Sequence, residues 1–180
     1  MNGISMSPQA AFLTAAAELI ADDGPAAEVV QAAAELVAHL SEPPDALVTV
    51  AALPADELRA EELAPLLDTA AQSLGLPTLS PQFAVDILIQ DAARKISTGL
   101  LVPYQGASKI WYLARGFDAK ADRFGIFMQL MDDWESDLPG REKIEQEIRE
   151  TAADFAREPV PSATEGGGDA AASHSSRDSS

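Results

Sequence analysis

The chain has no cysteine among its 180 residues. That absence excludes disulfide staples, thiolate metal sites and cysteine nucleophiles, so stability has to come from packing. Basic side chains are scarce in the first half, where residues 1–79 carry only Arg59 against twelve acidic groups. A secretory leader needs positive charge before its apolar run, so no secretion signal is expected. Every apolar run is interrupted by Glu, Asp or Pro well before the roughly 18 residues that a membrane-spanning helix needs. These absences point to an intracellular, cytoplasmic protein. Phosphate-cradling glycine loops are missing too: Gly99, Gly106, Gly116 and Gly125 are isolated, and Gly166–Gly168 is not followed by Lys and Ser or Thr, which argues against nucleotide binding.

Aromatic residues make up only 6% of the chain and crowd into Asp91–Phe155, which holds both Trp, both Tyr and four of the six Phe. The rest is Ala-rich and acidic, and the net charge is −17. A field of that sign repels phosphate backbones and anionic lipid. The expected partner is therefore another protein with a basic surface, with no nucleic acid and no membrane. Acidic excess also keeps an Ala-rich chain soluble, which is a sufficient reason for it without any partner.

Helical periodicity runs through most of the sequence. Ser7-Pro8 and Ser80-Pro81 read as helix openings, with Ser at the N-cap and Pro in the first turn. The first opening leads into Phe12, Leu13, Ala16, Leu19 and Ile20, closed by Asp22-Asp23-Gly24. Pro25 opens a second stripe of Val29, Val30, Ala33, Leu36, Val37 and Leu40. Residues 45–53 have a strand-like Val48-Thr49-Val50 core but no second strand to pair with, so a short helix capped by Asp45 is expected. A further helix starts at Ala55 or Asp56 and runs to Leu74, with Pro65 as a kink or a new start. Ala15–Ala21 (AAAELIA) recurs as Ala32–Ala38 (AAAELVA), a match that Ala-rich composition makes by coincidence as readily as by helix duplication.

Beyond Leu76-Pro77 the stripes are richer. Phe83, Val85, Leu88, Ile89, Ala92 and Ile96 form one; Ala107, Ile110, Trp111 and Ala114 form the next. Phe124, Phe127, Met128, Met131 and Trp134 follow a cap at Asp118. Ile144, Ile148, Ala152 and Phe155 form the last, with Arg141–Glu145, Lys143–Glu147 and Glu145–Arg149 as i, i+4 pairs. Gly106 and Gly125 read as close helix contacts. The expected fold is all-α: two small helical bundles packed together, 1–77 and 78–158, with a disordered Gly/Ser-rich tail at 159–180.

Two constellations could carry chemistry. Asp132, Asp133, Glu135 and Asp137 could offer carboxylate oxygens to a hard cation, but a calcium loop from Asp133 would need Gly and Glu where Leu138 and Ile144 stand. Acidic residues there also favour the positive end of the following helix. The second constellation is an aromatic and cationic surface of Tyr104, Ser108, Lys109, Tyr112 and Arg115, with Trp134 as a further contact residue. Burial of the tyrosine rings with exposed hydroxyls is the competing reading. His39 and His174 are the only imidazoles, too few for a zinc site or a relay.

The run Ile96–Gly99, Pro103–Trp111, the acidic-Trp-acidic stretch Asp132–Asp137 and the charged last helix resemble a C-terminal module of small, uncharacterised actinobacterial proteins over about residues 85–156. The resemblance implies a unit boundary and no catalytic residue; Ala-, Asp- and Pro-rich composition agrees with a bacterial source. The resulting expectation is a non-catalytic protein-binding module without a cofactor, such as a regulatory adaptor or an immunity- or antitoxin-like protein. A metal-dependent enzyme built on the acidic cluster and a self-assembling structural component are the alternatives.

Overall fold

The structure, a computed structural model, describes residues 7–22, 24–54 and 60–158, with the backbone alone at 118 and 119. The described residues form eight α-helices and no strand: α1 (Pro8–Ala21), α2 (Ala26–His39), α3 (Asp45–Ala51), α4 (Ala60–Ser73), α5 (Pro81–Ser97), α6 (Pro103–Ala114), α7 (Asp118–Ser136) and α8 (Arg141–Arg157). The fold is all-α. The expected tail at 159–180 and the start at Ala55 or Asp56 lie outside the described residues.

Local sequence sets the helix ends. Ser7 accepts from the Ala10 amide at 3.2 Å and Ser80 from the Phe83 amide at 3.2 Å, so both Ser-Pro openings act as expected. Other caps differ. Pro25 and Pro44 are themselves the N-cap residues of α2 and α3, which makes Asp45 the first helical residue and not the cap. Phe117 takes the N-cap place of α7, and Asp118 begins the helix. Pro65 lies inside α4 without splitting it. At the end of α4, Gly75 adopts φ 73° and lets the Leu76 amide donate to Ala71 at 2.9 Å. α5 ends the same way, with Gly99 at φ 75° and the Leu100 amide donating to Lys95 at 2.8 Å.

α5 organises the packing. Ten of its 17 residues are buried, including Phe83, Leu88 and Ile96, so it is apolar on most sides, as a helix enclosed by neighbours must be. It packs against α1, α6 and α8, while α2, α3 and α4 continue from α1 in a chain of contacts. One hydrophobic core runs from Phe12, Val29 and Leu67 through Leu88 to Phe127 and Ile148. Residue 77 falls in the α4–α5 connection, which Asp68 of α4 ties down by accepting from the Leu79 amide at 3.2 Å.

Two helix stripes are rotated from their expected positions. In α6 the buried set is Pro103, Gly106, Ala107, Ile110, Leu113 and Ala114, with Trp111 only partly covered. In α7, Leu130 is buried with Phe124 and Phe127, while Met128 is exposed. Gly106 is a close contact: a Cβ there would lie 2.3 Å from Cγ1 of Ile96. Gly125 is not, since nothing lies within 4 Å of its Cβ position.

Candidate functional site

Contacts from Tyr104 to Trp134 and Glu135, and from Arg141 to Trp134, bring the α5–α6 and α7–α8 loops to the same end of the helices. This is the end where Tyr104, in the first turn of α6, meets Trp134, in the last turn of α7. Their ring centroids are 4.4 Å apart with planes tilted by 34°. Arg141, the first residue of α8, places its guanidinium 3.7 Å from the Trp134 ring centroid, and its Nε donates to the Trp134 carbonyl at 3.0 Å. This replaces the expected Arg141–Glu145 pair, because the ring and carbonyl of Trp134 offer the guanidinium both a π-face and an acceptor. The other two expected pairs are present, Lys143–Glu147 and Arg149–Glu145, each at 3.4 Å.

Tyr104 also donates its hydroxyl to Oε1 of Glu135. That hydrogen bond to the carboxylate holds the phenol above its usual range, with partial burial and the negative charge of Glu135 acting in the same direction. The Trp134 indole N–H faces Glu145 at 3.4 Å. Three helix ends are thus joined by one network of two rings, one guanidinium and two carboxylates.

The six residues expected to form an interface separate. Tyr104 and Trp134 come together at the helix ends. Tyr112, 56% exposed, lies two turns along α6 with the Arg115 guanidinium 4.4 Å from its ring centroid. Lys109 faces a different neighbour and pairs with Glu18 of α1 at 3.7 Å. Around α6 it lies about 140° from Tyr104, though only about 60° from Tyr112, which sets it apart from the Tyr104–Trp134 contact. Ser108 is exposed between the two groups.

The acidic cluster is partly committed to structure. Glu135 accepts from Tyr104, and Oδ1 of Asp137 accepts from the Gly140 amide at 3.2 Å, closing the α7–α8 turn. Asp132 and Asp133 are exposed on α7. Among the described residues, no three His, Cys, Asp or Glu side chains are placed to share a metal ion.

Sequence reasoning missed the apolar members of this end. Leu100 is 74% exposed, Val102 52% and Leu138 67%, all in the two loops beside the Tyr104–Trp134 contact. Between Leu100 and Val102, Leu101 packs against the core while Val102 is exposed.

A concavity of about 280 Å³ lies between α1 and α2, with Lys95 of α5 also in its lining. Its floor is Ala11, Ala15 and Ala32, and Glu18, Glu28 and Glu35 stand around it. Glu18 and Glu35 are the equivalent positions of AAAELIA and AAAELVA, so both segments face one cleft. His39 does not join them; its Nδ1 lies 2.7 Å from the Glu35 carbonyl. No helix among the described residues is long and apolar enough to cross a membrane. The chain matches no protein-family model, no curated protein and no solved structure, so its functional reading rests on this geometry alone.

Proposed function

We propose that the protein is a non-catalytic binding module that docks another protein with a basic surface, in the manner of a regulatory adaptor or an immunity- or antitoxin-like protein. The observation that carries this reading is the pairing of uncovered Leu100, Val102 and Leu138 with the exposed carboxylates of α7. Isolated apolar side chains are ordinary on a surface, but these three stand beside an ordered centre of Tyr104, Trp134 and Arg141, the residue types that dominate binding hot spots. The acidic first half supports the same reading, because a long-range negative field speeds encounter with a basic partner.

Capture from a native lysate of a bacterial source, at low and at high salt, tests it. The expected result is a protein recovered at low salt and released as ionic strength rises, since screening shortens the reach of surface charge. Recovery of no partner, or of one indifferent to salt, would count against this function.

A further inference from the structure

Both α4 and α5 end in a glycine-centred turn, but their following leucines behave differently. Leu76, after Gly75, packs against the core. In this turn the residue after glycine packs back over the last helical turn, and for Leu76 that turn offers Ala70 and Ala71. Leu100, after Gly99, meets Arg94 and Lys95 at the equivalent positions and stays 74% exposed. The turn conformation therefore does not need a leucine at 100, and neither does the core. Leu138 is in the same situation: the α7–α8 turn is closed by Asp137 and Gly140, while Leu138 between them is 67% exposed.

Beside Leu100, Arg94 and Lys95 are both paired with Asp91 at 3.7 and 2.6 Å, whereas the side of Leu138 is mostly acidic. Between residues 132 and 142 stand five carboxylates, Asp132, Asp133, Glu135, Asp137 and Glu142, against the single guanidinium of Arg141. Arg141 is already stacked on Trp134. A second copy of the chain is a poor occupant, because a twofold contact places identical acidic rims against each other. Anionic lipid is repelled for the same reason. The apolar group is also too small for a standard interface of about 1,600 Å² without charged contacts around it.

We infer that the loop end of α5–α8 docks one short amphipathic segment of a partner protein, with bulky aliphatic residues on Leu100, Val102 and Leu138 and Lys or Arg side chains against Asp132, Asp133 and Glu142. This rests on the protein-binding reading above and names its occupant. Tyr104, Trp134 and Arg141 fix the relative positions of the two loops, so the anchors are held before the segment arrives and less ordering is required on binding.

The test uses a synthetic helical peptide with Leu on one face and Lys on the other, titrated calorimetrically into the full chain. Wild type binds it, and Leu100→Asp/Leu138→Asp and Asp132→Asn/Asp133→Asn each weaken binding about tenfold or more, as loss of a hot spot or of paired charge does. Unchanged circular dichroism establishes that the exposed substitutions leave the fold intact. Equal binding by Leu100→Asp/Leu138→Asp, equal binding of a peptide with Leu replaced by Ala, or no binding to wild type overturns the inference. Lysate capture separates the two levels. If wild type and Leu100→Asp/Leu138→Asp recover the same salt-sensitive protein in equal yield, the binding function stands and this docking site falls; if wild type recovers nothing, the function itself falls.

Discussion

The rings of Tyr104 and Trp134 meet with their centroids 4.4 Å apart and join the start of α6 to the end of α7. Arg141 adds the start of α8 to the same contact. Trp134→Ala removes a half-buried aromatic on which both depend, and is expected to cost about 2 kcal/mol, less than truncation of a fully buried Trp. Urea unfolding gives the value. A cost near zero would mean that the three helix ends are positioned by the core alone.

Glycine substitutions at two positions should have opposite signs. Gly106→Ala forces a methyl group to within 2.3 Å of Ile96, and overpacking of this kind costs roughly 1–3 kcal/mol. Gly125→Ala enters open space inside α7 and should stabilise by up to about 1 kcal/mol through helix propensity. Thermal and urea unfolding of both variants measure the difference. Equal effects would contradict the close α5–α6 approach.

The Lys120–Asp86 ion pair links α7 to α5 with both side chains nearly covered, 10% and 12% exposed. Removing one partner leaves a poorly solvated charge, so Lys120→Met should destabilise by about 3 kcal/mol. Changing both, Lys120→Met with Asp86→Leu, should recover most of that loss. A double variant as unstable as the single one would show that the pair has other essential partners.

Tyr104 should ionise above the ordinary tyrosine value of 10.0, because its neutral hydroxyl donates to Glu135. The sign for stability follows from linkage: a raised folded-state value gives a contribution complete below the unfolded value and lost as pH climbs through the folded one. Tyrosinate absorbance in a Tyr112→Phe background isolates Tyr104, since the chain has two tyrosines. Glu135→Gln removes the negative charge and should lower the midpoint. An unchanged midpoint would argue against the hydrogen bond.

The helices were legible because Ser-Pro openings, glycine stops and 3.6-residue periodicity all act locally. Residues 45–53 show the value of a non-local check: β-branched Val48, Thr49 and Val50 favour a strand, yet Leu47 and Val50 are buried in a helix with no strand partner among the described residues. The rotation of α7 was not legible, because Met128 and Leu130 flank the Phe124–Phe127 axis and only the neighbouring helices decide which is covered. The same limit applies to the site. Tyr104 and Trp134 could both be named from residue type, but their contact spans 30 positions of sequence and depends on how α6 and α7 pack. Lys109 was grouped with Tyr104 from sequence proximity, whereas its partner Glu18 belongs to α1. The exposure of Leu100 and Leu138 was not legible either, because residue type alone does not show that their neighbours leave them uncovered.

The central claim is that the loop end of α5–α8 is the docking face, and hydrogen–deuterium exchange of the full chain with its captured partner tests it most directly. The account predicts slowed exchange confined to residues 98–104 and 132–142, with α2 and α3 unaffected. Slowed exchange on α2 and α3, with both loops unchanged, would contradict it.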